Sequence, residues 1–88
     1  MKVIVAIKDT AARVFGTPFV VQASAQAVRS LRDEVNSKES TSDVARHPDD
    51  FELYEIAYFN DLSGDINYPS DDAYPRLLCR AKDLKESD

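Results

Sequence analysis

A chain of 88 residues makes one domain with a thin core, since so short a chain leaves a large share of its surface in water. Its 43 % hydrophobic and 31 % charged residues are those of a folding soluble domain, and no apolar run approaches the roughly 18 residues of a membrane span. The net charge of −5 is uneven: residues 1–47 hold seven Lys or Arg against five Asp or Glu, residues 48–88 four against eleven, so phosphate is repelled by the second half and any DNA site belongs to the first.

Lys2 to Lys8 (KVIVAIK) is rich in β-branched residues and predicts a central strand. Arg13-Val14-Phe15 reads as a short arm before Gly16-Thr17-Pro18 turns the chain, and Phe19 to Gln22 as a second strand antiparallel to the first. Ser24 is the expected N-cap of the main helix, which Ala27, Val28, Leu31 and Val35 make amphipathic through Asn36. Arg29 and Asp33, four apart, are placed to pair on its outer face. Ser37 to Asp43 is a polar loop, and Val44 to Arg46 one helical turn that His47-Pro48 ends.

Phe51 to Phe59 predicts a strand inside the sheet. Phe51, Leu53, Ala57 and Phe59 share one parity and Tyr54, Ile56 and Tyr58 the other, which predicts cover on both faces. Asn60 to Gly64 is hairpin-loop chemistry with Gly64 suited to a positive φ, and Ile66 and Tyr68 begin a partner strand that Pro69 to Asp72 interrupts. Pro75, Leu77, Leu78, Ala81 and Leu84 predict a terminal amphipathic helix. Such a helix needs a surface to dock on, in this domain or in another subunit.

Chemistry-bearing residues are sparse. His47, the only histidine, lies near Asp49, Asp50 and Glu52, a grouping read as a turn entering the strand in preference to an acid-base or metal cluster. Cys79, the only cysteine, reads as a small buried hydrophobe or a free thiol. The loop from Asn60 lacks the ligand spacing of a calcium site. Two glycines make no phosphate loop, and no nucleophile has a base and an orienting partner, so neither catalysis nor a cofactor or metal is expected. The candidate nucleic-acid residues are Lys8, Arg13, Phe15, Arg29 and Arg32: Arg13 beside Phe15 can hold a phosphate and stack a base, and the two helix arginines lie three apart. Tyr54, Tyr58, Tyr68 and Tyr74 fall in the acidic half and read as core or interface residues.

Three segments carry a family resemblance: Lys8-Asp9-Thr10 with Phe15-Gly16-Thr17-Pro18-Phe19, Arg29 to Asn36, and His47-Pro48-Asp49-Asp50-Phe51 through Gly64 and Ile66. Together they resemble the small nonstructural proteins of gokushovirus-type microviruses, phages with single-stranded DNA. The resemblance implies a protein of the bacterial host cytoplasm, with a proposed role in binding single-stranded DNA or in switching replication toward single-stranded genomes.

The expected fold is α+β: a single two-layer domain over residues 1–88, with a mostly antiparallel sheet of three or four strands under one main helix, and residues 69–88 as a C-terminal extension bearing a short helix. Two functions are in view. In one, a homodimer brings Arg13, Arg29 and Arg32 surfaces into one groove for single-stranded DNA. In the other, the acidic half binds a phage or host replication or assembly protein, with no DNA contact.

Overall fold

The computed structural model describes residues 1–68 and 74–86. Its centre is an antiparallel pair, β1 (Lys2–Asp9) and β4 (Phe51–Phe59), in register from Lys2 opposite Phe59 to Asp9 opposite Phe51. Two short strands share the outer edge of β1: β2 (Val14–Phe15) lies against Lys8 and Asp9, and β3 (Phe19–Val21) against Val3 to Val5. The outer edge of β4 is divided in the same way, with β5 (Ile66–Asn67) at Tyr58 and Phe59 and β6 (Arg76–Arg80) at Glu52 to Glu55. All six strands are antiparallel, more than the three or four expected, and because the short strands share the two outer edges the sheet is four strands wide.

A glycine suits the step from β2 to β3, where the backbone passes close to β1. Gly16 donates its N–H to the Ile7 carbonyl at 2.7 Å, and a Cβ there would meet that oxygen at 3.2 Å. In the β4–β5 loop Gly64 does take a positive φ of 82°.

One layer of helix covers one face. The main helix, α1 (Ser24–Val35), buries Ala27, Leu31 and Val35 against Val3, Val5 and Leu53 of the sheet. A one-turn helix, α2 (Asp43–Arg46), is capped by the Ser42 hydroxyl, which accepts from Ala45 N–H at 3.2 Å, and a 3₁₀ turn over Pro48–Asp50 leads into β4. Ser24 is not the N-cap of α1. Ala23 holds that position in extended conformation, and Ser24, the first helical residue, sends its hydroxyl to Glu55 instead.

Two bulges reset the side-chain parity. Ile4 faces Ala57 while Val5 faces Glu55, so Ile56 is an extra residue in β4; Leu53 faces Cys79 while Tyr54 faces Leu77, so Leu78 is extra in β6. Directly opposed residues share a face, so Phe51, Leu53, Glu55 and Tyr58 point to the helix layer with Val3, Val5 and Ile7. Tyr54, Ala57 and Phe59 point the other way. The expected grouping of Ala57 and Phe59 with Leu53 therefore fails at the bulge. The expected cover on both faces fails too, since among the described residues the helices lie on one side alone.

Residues 76–84 also depart from expectation. Arg76–Arg80 is a strand, and the helix, α3 (Ala81–Leu84), is a single turn. The open edge of β4 captures a segment whose Leu77, Leu78, Ala81 and Leu84 spacing is helical in isolation. Its docking surface is this domain: Ala81 is fully buried, Leu84 is nearly so, and the Asn36 side chain donates to Leu84 O at 2.9 Å and accepts from Glu86 N–H at 2.8 Å. The interruption expected at Pro69 to Asp72 lies outside the described residues.

Candidate functional site

The uncovered face of the sheet is built from the residues that alternate away from α1. In β1 these are Lys2, Ile4, Ala6 and Lys8; in β4, Glu52, Tyr54, Ala57 and Phe59; Phe15, Val20, Ile66, Leu77 and Arg80 join from the short strands. Lys2, Lys8 and Arg80 there stand against one carboxylate, Glu52, so this face inverts the sign of the whole chain.

Lys8, Phe15 and Tyr54 form a cation–aromatic cluster on it. β2 brings Phe15 opposite Lys8, and β4 supplies Tyr54 from the next position on the same face. The two rings meet edge to face with centroids 5.2 Å apart. The Lys8 ammonium sits 5.4 Å from the Phe15 centroid and 5.9 Å from that of Tyr54, within cation–π range. Glu52 lies opposite Lys8 but is turned elsewhere. One oxygen accepts from Tyr54 Oη at 2.9 Å and the other pairs with Arg80 Nε at 3.3 Å. The bond to Glu52 raises the Tyr54 hydroxyl above its ordinary pKa, with burial and the Glu52 charge adding to it and Arg80 opposing. Lys8 thus stays over the rings with its charge unmatched by an ion pair among the described residues.

Arg13 occupies the hairpin turn just before Phe15, exposed and at φ 60°. The turn around it is tied down. Asp9 Oδ1 accepts from Ala12 N–H at 3.0 Å, and Thr10 donates both its N–H and its hydroxyl to Asp50 O, at 2.8 and 3.0 Å.

Arg29 and Arg32 are exposed on α1, in the opposite layer. The structure therefore divides the five predicted residues: Lys8, Arg13 and Phe15 gather at one end of the uncovered face, and the two helix arginines do not join them. Arg29 and Asp33 are not among the ion pairs of the described residues. Sequence reasoning missed Tyr54, because a strand in the acidic half was discounted; the Phe51–Phe59 alternation was the available signal.

On the helix side a second cluster surrounds Glu55, only 3 % exposed in β4. Its carboxylate accepts from Ser24 Oγ at 2.6 Å, Arg76 at 2.8 Å and Tyr74 Oη, and Tyr74 Oη lies 3.3 Å from Tyr58 Oη. Burial pushes this carboxyl upward, but the hydrogen bonds from Ser24, Tyr74 and Tyr58 and the Arg76 charge outweigh it and hold it below its ordinary value. Burial and Glu55 push the Tyr74 hydroxyl far above its own. Every buried polar side-chain atom here has a partner, which makes the cluster a structural anchor.

Three further features lie apart from both clusters. A groove of about 290 Å³ beside α1 is lined by Ile7, Phe19, Leu31, Val44 and Leu53 with Glu34 and carries no cation. Cys79 is half-buried, and burial pushes its thiol up despite Arg32, so it is held as the neutral thiol at pH 7. His47 is exposed and caps α2, its N–H donating to Asp43 O at 2.8 Å and its carbonyl accepting from Asp50 N–H at 3.0 Å.

A family model described as Phage ORF5 protein matches residues 2–84, and the chain belongs to that family. No curated protein and no solved structure matches it.

Proposed function

We propose that this member of the phage ORF5 family is a non-enzymatic protein that binds single-stranded DNA on the uncovered face of its sheet, in the life cycle of a gokushovirus-type microvirus. The observation that carries the reading is the Phe15–Tyr54 pair with the Lys8 ammonium over both rings. An unpaired base stacks on such rings at about 1–3 kcal/mol per base, whatever its identity, while the ammonium reaches the adjacent phosphate. Duplex DNA keeps its bases stacked inside and offers no free π-face, so the platform favours single strands.

Two features of the surroundings support this. Arg80 pairs with one oxygen of Glu52 and Tyr54 donates to the other, so the one carboxylate of that face is balanced by a neighbouring cation. Arg13 adds a cation at the hairpin turn in a left-handed conformation that glycine would adopt at less cost, a placement that favours a role for its side chain.

Fluorescence anisotropy with a labelled strand of about 30 nucleotides tests the proposal. Binding should weaken with salt, and Phe15→Ala should raise Kd about tenfold. Arg29→Glu/Arg32→Glu should change it little at about 0.15 M salt, where the Debye length is about 8 Å. Loss in the helix variant with none in Phe15→Ala would overturn the assignment of the face.

A further inference from the structure

The Lys8–Phe15–Tyr54 cluster occupies one end of the uncovered face. At the other end Phe59 lies directly opposite Lys2 on one side and Ile66 on the other, all three on the same face. Phe59 and Lys2 are both partly exposed and Ile66 is 58 % exposed, so a second ring with a lysine beside it is open to a ligand. Between the ends the central strands place Ala6 and Ala57. Their short side chains are sunk to 2 % and 1 % exposure, and Ile4 and the half-exposed Val20 stand beside them, so the stretch between the ends is apolar. Two acids flank the Phe59 end: Asp61, whose Oδ1 lies 3.7 Å from the Met1 ammonium, and Asp65, next to Ile66, whose carboxylate accepts from Ser63 Oγ at 3.0 Å.

We infer that the face holds two base-stacking subsites, Phe15 with Tyr54 and Lys8 at one end and Phe59 with Lys2 at the other, so that its ligand is a short tract of single strand laid along β1 and β4. The inference rests on the reading of this face as a DNA site. Lys2 and Lys8 are six residues apart in one strand, about 20 Å at about 3.4 Å per residue. Stacked bases advance about 3.4 Å per nucleotide, and splayed bases about twice that, so the tract spans about four to seven nucleotides. That footprint is at the small end for one single-strand-binding domain.

Thymidine oligomers of two, four, six and eight nucleotides, titrated against the full chain by anisotropy, read this directly. Affinity should climb at least tenfold between the dimer and the hexamer and then level off, beyond the statistical gain from added positions. Phe59→Ala should abolish that climb and leave dimer binding unchanged, whereas Phe15→Ala should weaken every length. Lys2→Gln, which keeps a long polar side chain on β1, should lower the salt slope for the hexamer by about 0.7 and leave the dimer's slope alone. A length profile identical in Phe59→Ala and the native chain, with Phe15→Ala still weakened, would overturn the second subsite and leave the first standing. No binding at any length, with a dimer seen in sedimentation that Phe59→Ala dissociates, would overturn both and make the face a self-association surface.

Discussion

Arg13 and Glu55 show opposite ways in which one side chain can be held. Arg13 sits at φ 60° with no helix or sheet bond of its own, so Arg13→Gly should relieve about 1 kcal/mol of backbone strain and raise the melting temperature. The same change should weaken DNA binding, and a variant that gains stability and loses affinity together is the outcome to look for. Glu55 is fully engaged by Ser24, Tyr74 and Arg76. Its carboxyl is lowered in the folded state, so its stabilisation is present above the ordinary value of about 4.3 and is lost as pH falls through the lower folded value. Glu55→Gln should cost about 1–3 kcal/mol at pH 7. Thermal melts between pH 2 and 6 should then show a smaller acid-side loss in the variant than in the native chain.

The elements differ in how much of their final state their own residues specify. β1, α1 and β4 were legible because each carries a full period of apolar residues: KVIVAIK, the Ala27–Leu31–Val35 stripe, and FELYEIAYF. β6 was not, because five residues reading RLLCR, with Ala81 and Leu84 beyond, match a helix as well as a strand until the edge of β4 is there to pair with them. Leu84→Ala tests that integration. Loss of its contact with the core should cost about 2–4 kcal/mol in urea denaturation, and an unchanged midpoint would mean that the segment is a loosely attached arm. The bulges at Ile56 and Leu78 leave no trace in a period-two pattern, yet the first decides that Phe59 shares a face with Tyr54 and the second that Leu77 does. Lys8, Arg13 and Phe15 could be named from the chain as neighbours of one hairpin. Their junction with Tyr54, and their separation from Arg29 and Arg32, depend on long-range pairing that no local window contains.

Over the whole molecule, a net charge of −5 argues against DNA binding only if charge is spread evenly, and it is not. The sheet divides the chain into a helix side, where the buried carboxylate Glu55 is neutralised by Arg76, and an uncovered side where Lys2, Lys8 and Arg80 stand against Glu52. A thin two-layer domain normally leaves one sheet face wet and polar; this one keeps Phe15, Tyr54, Phe59 and Ile66 there, which is apolar surface suited to a ligand. The most direct measurement is a ¹⁵N chemical-shift titration of the full chain with a six-nucleotide thymidine strand. Shifts should concentrate in β1, β2 and β4 around Lys8, Phe15, Tyr54 and Phe59, with α1 silent. Shifts centred on Arg29 and Arg32, or none at millimolar strand, would contradict the placement of DNA on the uncovered face.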